Sequence, residues 1–80
     1  MTTKMEPDSE MGARLRKARD AAGLSQMRLG AKIDRTHQSV MAWEQAKRPV
    51  LAIDLIAIGE ACGVRPEWLL TGSGRMRVTK

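Results

Sequence analysis

The chain has few of the residues that build catalytic, metal or disulfide sites. Its 80 residues include one cysteine, one histidine and two tryptophans, and no phenylalanine or tyrosine. A single cysteine cannot form an internal disulfide, and the sequence has no cysteine–histidine cluster with the spacing of metal ligands. It also lacks a phosphate-cradling glycine-rich loop and an obvious pair of catalytic carboxylates. We therefore expect no enzymatic activity, no cofactor and no bound metal.

Long apolar runs are also missing. None approaches the length of about 20 residues that crosses a bilayer, and residues 1–10 lack the apolar core of a signal peptide. Together with the single cysteine, this predicts a soluble protein of the reducing cytoplasm with no membrane partner. The length fits one domain, near the smallest size that a single hydrophobic core can stabilise. Association with a second copy would therefore help to stabilise the fold.

Positive charge is concentrated in one part of the chain. The formal net charge is +5, yet residues 1–10 carry an excess of two negative charges. Residues 11–48 contain nine basic and three acidic side chains, and residues 49–80 add an excess of only one positive charge. Such asymmetry is typical of a phosphate-binding surface, although charge alone more often marks a solvated cationic face.

The spacing of apolar residues predicts an all-α domain of five helices. These helices cover about 10–22, 26–33, 37–45, 51–62 and 66–70. The fourth has too few polar residues to lie on a surface, so we expect it to be central. Residues 1–8 are predicted to be a flexible N-terminal arm, 9–72 the domain, and 73–80 a C-terminal tail that extends as a strand in a dimer or remains in solvent.

The second and third helices begin in the same way. Ser25 and Thr36 are good N-cap residues, because a side-chain oxygen can accept from unpaired N–H groups of the first helical turn. Polar residues follow each cap, and a tight turn at Asp34-Arg35 joins the two helices. This is a helix-turn-helix, which presents the start of its second helix to phosphates and base edges. The pattern therefore predicts binding to DNA.

A longer ordered pattern extends over residues 11–72. Its positions are Leu15, Arg19, Gly23-Leu24-Ser25-Gln26, Leu29, Val40, Trp43-Glu44, Lys47, Pro49, Leu55, Gly63-Val64 and Trp68-Leu69-Leu70-Thr71-Gly72. In this order and spacing the chain closely resembles the lambda-repressor-like helix-turn-helix family of phage repressors and Cro proteins. The resemblance implies a compact five-helix domain with the helix-turn-helix at helices 2 and 3. It also implies a homodimer on an inverted-repeat operator in double-stranded DNA.

The resemblance assigns roles in DNA contact. The implied base-contacting residues are His37, Gln38, Ser39 and Ala42. Gln38 is the strongest of these, because a terminal amide can pair bidentately with N6 and N7 of adenine. The implied phosphate contacts are Gln26, Arg35, Thr36, Lys47 and Arg48. Gln26 lies beside the N–H groups at a helix start, where the helix dipole also favours an anion.

Other positions are assigned structural roles by the same resemblance. Arg19 and Glu44 are implied to form an ion pair between the first and third helices. The implied dimer interface consists of Val50, Leu51, Trp68 and Leu69, from the connection after Pro49 and the last helix. Trp43 and Cys62 are interpreted as core packing, because the spacing directs both toward apolar neighbours.

Three positions depart from the family pattern. Asp34 stands where the turn usually has glycine, which is tolerable because Asp can adopt left-handed backbone. Gly30 stands where alanine is usual, and a glycine inside a helix costs on the order of 1 kcal/mol relative to alanine, but either small residue is expected to let the recognition helix cross closely. Ala46 replaces a frequent glycine, so the loop that carries Lys47 and Arg48 is expected to follow a different path.

Three functions fit these features. A sequence-specific transcriptional regulator is favoured, acting as a Cro-like repressor that occludes a promoter, since the second helix has no outward carboxylate to recruit polymerase. An antitoxin-like interaction protein with autoregulatory DNA binding is the alternative, weakened by the short tail at 73–80. Non-specific packaging of nucleic acid is disfavoured because His37 and Gln38 suit base reading. No small-molecule effector is evident, which suggests control by concentration.

Overall fold

The computed structural model describes residues 9–78, and within them the chain forms five helices. They are α1 (Ser9–Ala21), α2 (Gln26–Lys32), α3 (His37–Glu44), α4 (Ala52–Cys62) and α5 (Pro66–Thr71). The predicted all-α class and the order of the helices are confirmed, and each predicted boundary lies within one residue of the observed one. The predicted N-terminal arm, residues 1–8, lies outside the described residues.

Every helix contributes a fully buried aliphatic side chain to one hydrophobic core. These side chains are Leu15, Leu29, Val40, Ile58 and Leu69. Trp43 and Cys62 are buried in the same core, as their spacing indicates. α2 and α3 have only seven and eight residues, too few to be stable helices alone in water. Their stability therefore comes from packing against the core.

The fourth helix is central on one side only. Leu55, Ile58 and Cys62 face the core, and the helix packs against α1, α2 and α5. Ile53 and Ile56, however, are exposed to solvent. The expectation that α4 is too apolar to lie on the surface was therefore wrong. A domain of this size has too few elements to surround a helix completely, so part of its apolar surface stays uncovered.

The C-terminal segment is attached to its own chain. The Arg65 N–H donates to the Met76 carbonyl at 2.9 Å, and the Val78 N–H donates to the Gly63 carbonyl at 3.1 Å. Val64 and Arg77 form an antiparallel bridge, and the Met76 side chain packs against the core. Residues 76–78 therefore pair with residues 63–65 of the same chain.

Two residues other than glycine adopt left-handed backbone within the described chain. Asp34 has a φ of +60° in the turn between α2 and α3, as predicted from its ability to occupy this conformation. Ala46 has a φ of +58° just after the C-cap residue of α3. Left-handed backbone costs an ordinary residue roughly 1–2 kcal/mol, and alanine has no polar side chain to offset it. Ala46 therefore adopts left-handed backbone at a cost in stability that glycine would not incur.

Ala46→Gly is expected to stabilise the protein by about 0.5–1 kcal/mol, because relief of left-handed strain exceeds the entropy gained by the unfolded chain. Urea unfolding followed by tryptophan fluorescence measures the change. Ala31→Gly is the matched control, since Ala31 is an exposed alanine inside α2. That control is expected to lose about 1 kcal/mol. Equal losses in both variants would show that Ala46 is not strained.

Candidate nucleic-acid interface

The two predicted helix caps define the start of α2 and of α3. The Arg28 N–H donates to Ser25 Oγ at 3.0 Å, and the Ser39 N–H donates to Thr36 Oγ1 at 3.2 Å. Both cap residues have extended backbone before the helix begins. Since each hydroxyl satisfies one otherwise unpaired N–H, the remaining N–H groups of each first turn still point outward.

Close packing at Gly30 fixes the turn between the two helices. The Arg35 N–H donates to the Gly30 carbonyl at 2.8 Å. A β-carbon built on Gly30 would lie 2.6 Å from the Arg35 carbonyl oxygen, a backbone atom that cannot move aside alone. The expectation that glycine and alanine would both let the recognition helix cross closely at this position is therefore wrong for this chain. An alanine would gain helix propensity but would push the turn away from α2.

The predicted base-contacting residues lie at different depths on α3. Gln38 is exposed in the first turn, and its side chain makes no hydrogen bond to another residue of the described chain. His37 and Ala42 are half-buried. Ser39 is buried, and its hydroxyl already has two partners in the protein. Of the four, Gln38 is therefore the one presented most openly to a ligand.

A buried polar network joins α1, α2 and α3. Arg19 Nε donates to Glu44 Oε2 at 2.6 Å, and Arg19 Nη2 donates to Glu44 Oε1 at 3.1 Å. The same Oε1 accepts from Gln26 Nε2 at 3.1 Å, and Arg19 Nη1 donates to the Leu24 carbonyl at 2.8 Å. The hydrogen bonds to Glu44 raise the pKa of Arg19 above its ordinary value, although burial opposes the shift.

This network bears on two of the predicted roles. The Arg19–Glu44 ion pair that the resemblance implied is present, and only 5% of the Glu44 side chain is exposed. Gln26, implied as a phosphate contact, has one amide proton engaged by Glu44. A side-chain NH2 group has two donors. The second donor of Gln26 is therefore held at the start of α2 in a fixed orientation.

Arg35 is bound to a residue that the sequence did not single out. Its Nε donates to Asp54 Oδ1 at 2.9 Å, and its Nη1 donates to the Asp34 carbonyl at 3.2 Å. The Asp54 carboxylate is buried, whereas the Arg35 side chain remains exposed. Asp54 thus ties the turn of the helix-turn-helix to α4. The only sequence signal for Asp54 was that it is one of two acidic residues among the aliphatic residues of α4.

The loop after α3 carries the remaining implied phosphate contacts. Lys47 and Arg48 are both exposed, and the Lys47 N–H donates to the Ala42 carbonyl at 2.8 Å. Arg48 Nη1 donates to Ser39 Oγ at 2.9 Å, so this guanidinium lies beside the first turn of α3. Basic side chains from the turn and from the loop therefore border the same helix.

Residues 10–71 match the helix-turn-helix domain family. The chain belongs to that family. No curated protein matches the chain by sequence.

Solved structures share the fold of this helix-turn-helix domain. The restriction-modification controller protein C.AhdI from Aeromonas hydrophila is 30% identical, with a TM-score of 0.73 over 76% of this chain and 88% of its own. The P22 c2 repressor, crystallised with synthetic operator 9T, is 27% identical, with a TM-score of 0.74 over 79% of this chain and 96% of its own. Its DNA-binding domain in solution gives 26% identity and a TM-score of 0.73, covering 90% and 88%.

Two of the implied dimer residues of the helix-turn-helix domain are core residues instead. Leu69 has no exposed surface and Trp68 is only 8% exposed, so neither presents an apolar surface to a second copy in this fold. Val50 is half-buried against the core, whereas Leu51 is exposed. Successive residues on a helix point about 100° apart, so α5 turns Leu70 outward while Leu69 faces the core. The expectation for Trp68 and Leu69 was therefore wrong.

Other kinds of site find no support in the described residues. Burial raises the pKa of the Cys62 thiol, which keeps it protonated and unreactive. Within residues 9–78 no group of three or more potential metal-ligating side chains comes together. In the same range, no helix has both the length and the apolar character needed to span a membrane.

Proposed function

We propose that the protein is a sequence-specific transcriptional regulator that binds double-stranded DNA through α3. The observation that carries the proposal is the exposed, unengaged amide of Gln38 in the first turn of a capped helix. In helix-turn-helix proteins the N-terminal residues of the second helix contact base edges in the major groove. Gln38 is the side chain here with both the chemistry and the position to distinguish adenine.

The distribution of positive charge also supports DNA binding through α3. Arg35, Lys47 and Arg48 lie around α3 in the turn and the following loop, and all three are exposed. Contacts from such side chains and from helix N-termini fix the orientation of a protein on the duplex but do not read sequence. Gln26, held by Glu44, adds an oriented donor at the start of α2. We therefore assign backbone contacts to these residues and base reading to Gln38, with His37 beside it.

We further propose a homodimer on an inverted repeat. A two-fold dimer places its two reading helices about 34 Å apart, one turn of DNA. Exposed apolar side chains at the beginning of α4 suit such a contact, namely Leu51, Ile53 and Ile56. α2 contains no acidic residue that could recruit polymerase, which favours repression by occupying a promoter.

The direct test is selection of bound duplexes from a random library, with wild type and Gln38→Ala in parallel at physiological salt. Wild type is expected to recover an inverted repeat. Gln38→Ala is expected to lose about 1–3 kcal/mol of discrimination at one base pair per half-site, because the bidentate contact is removed. Gln45→Ala is the matched control, since Gln45 is an exposed glutamine at the other end of α3.

The outcomes separate the possible functions. The proposal is supported if wild type and Gln45→Ala recover the same inverted repeat, while Gln38→Ala loses base preference at one position of each half-site. That result would support both the dimer and Gln38 as the base-reading residue. A recovered site that Gln38→Ala leaves unchanged would move base reading to another residue. Recovery of no motif would contradict sequence-specific regulation, and capture of a protein partner would then test the antitoxin-like alternative.

A further inference from the structure

We infer that Ser39 serves DNA binding as a positioning residue, by holding the Arg48 guanidinium beside the first turn of α3. The inference rests on the proposed function, and it assigns Ser39 a role different from the base contact that the sequence suggested. It also gives the two basic residues of the loop different roles, because the Arg48 side chain is held by Ser39 before DNA binds and the Lys47 side chain is not.

Burial removes Ser39 from direct reading. The residue is only 9% exposed, and it lies on the same side of α3 as the buried Val40 and Trp43. The Thr36 hydroxyl donates to Ser39 Oγ at 3.2 Å, while Thr36 Oγ1 accepts from the Ser39 N–H. Arg48 Nη1 donates to the same Ser39 Oγ at 2.9 Å. A hydroxyl oxygen has two acceptor sites, and both are occupied here.

The bond fixes a side chain that would otherwise be mobile. Arg48 is an exposed residue in a loop, and long side chains lose rotamer freedom when they are immobilised. Contact with Ser39 orders one end of the guanidinium in the free protein. Because a guanidinium has five N–H donors and this contact uses one, the others remain available to a phosphate. Less freedom is then lost on binding, which is how preorganisation raises affinity.

The position of the guanidinium also suits a phosphate. Thr36 caps α3, and the outward N–H groups of its first turn carry the positive end of the helix dipole. Ser39 holds Arg48 next to that turn, so two sources of positive potential act at one place. A phosphate bound there would accept from the guanidinium by charge-assisted hydrogen bonds, which are stronger than neutral ones.

The test measures the affinity of Ser39→Ala, Arg48→Ala and the double variant for the operator recovered by wild type. Ser39→Ala is expected to weaken binding about three- to tenfold on every operator sequence, the usual cost of immobilising one long side chain at an interface. It should not alter base preference. In the Arg48→Ala background, Ser39→Ala should cause no further loss, because the group that it positions is gone.

Lys47→Ala provides the matched background. Lys47 is the neighbouring loop cation and has no side-chain bond to Ser39, so the full effect of Ser39→Ala should persist there. Ser39→Thr keeps the hydroxyl and is expected to bind like wild type, while thermal unfolding checks that each variant folds. Ser39→Ala retains the backbone N–H that Thr36 caps.

Several results would overturn the inference. A changed base preference in Ser39→Ala would make Ser39 a reading residue, and an equal loss in the Arg48→Ala background would make its role purely structural. Ser39→Thr binding as weakly as Ser39→Ala, or Ser39→Ala binding like wild type, would also contradict it. Failure of wild type to recover any operator would instead contradict the proposed function, so the two failures are distinguishable.

Discussion

Arg19→Ala is expected to lower the free energy of unfolding by about 3–5 kcal/mol, because it leaves a buried carboxylate without its counter-charge. The Glu44 side chain is 5% exposed, and its remaining partner would be the amide of Gln26. The Leu24 carbonyl would lose its donor as well. Domains are stable by only about 5–15 kcal/mol, so this one substitution is expected to populate unfolded chains at physiological temperature.

Urea unfolding followed by tryptophan fluorescence measures the loss, and Arg16→Ala is the matched control. Arg16 lies on the same helix and pairs with Asp20 at 3.9 Å, but its side chain is 70% exposed. Exposed pairs of this kind contribute about 0–1 kcal/mol. Arg19→Ala combined with Glu44→Ala should be less destabilised than Arg19→Ala alone, because no unpaired charge stays buried. Similar losses in Arg16→Ala and Arg19→Ala would contradict this account.

The helices could be predicted from the sequence because their ends have local causes. Ser25 and Thr36 cap α2 and α3 through bonds within one turn, and Gly63 and Gly72 end α4 and α5 in left-handed backbone. None of these signals depends on distant parts of the chain. The outward side of α4 was missed for the opposite reason, since only the packing of the other helices decides which of its aliphatic residues are covered.

Contacts within the candidate DNA-binding site could be predicted where the family pattern includes both residues of an interacting pair. Arg19 and Glu44 are such a case, because their positions alone imply the ion pair. Asp54 and Ser39 are not, since their arginine partners lie 19 and nine residues away and the contacts depend on the paths of the turn and the loop. The cramped surroundings of Gly30 likewise follow from the approach of the Arg35 backbone, which no local pattern reveals.

Leu69→Ala is expected to destabilise the domain by about 2–5 kcal/mol, the usual cost of emptying a buried leucine site. Leu69 has no exposed surface, whereas the adjacent Leu70 on the same helix is 55% exposed, so Leu70→Ala is the matched control. That control should change stability by about 0.5 kcal/mol or less. Unfolding measured over a range of protein concentrations separates core from interface, because loss of a dimer contact gives a concentration-dependent effect. The loss in Leu69→Ala should be the same at every concentration; a loss that disappears in dilute protein would return Leu69 to the dimer interface.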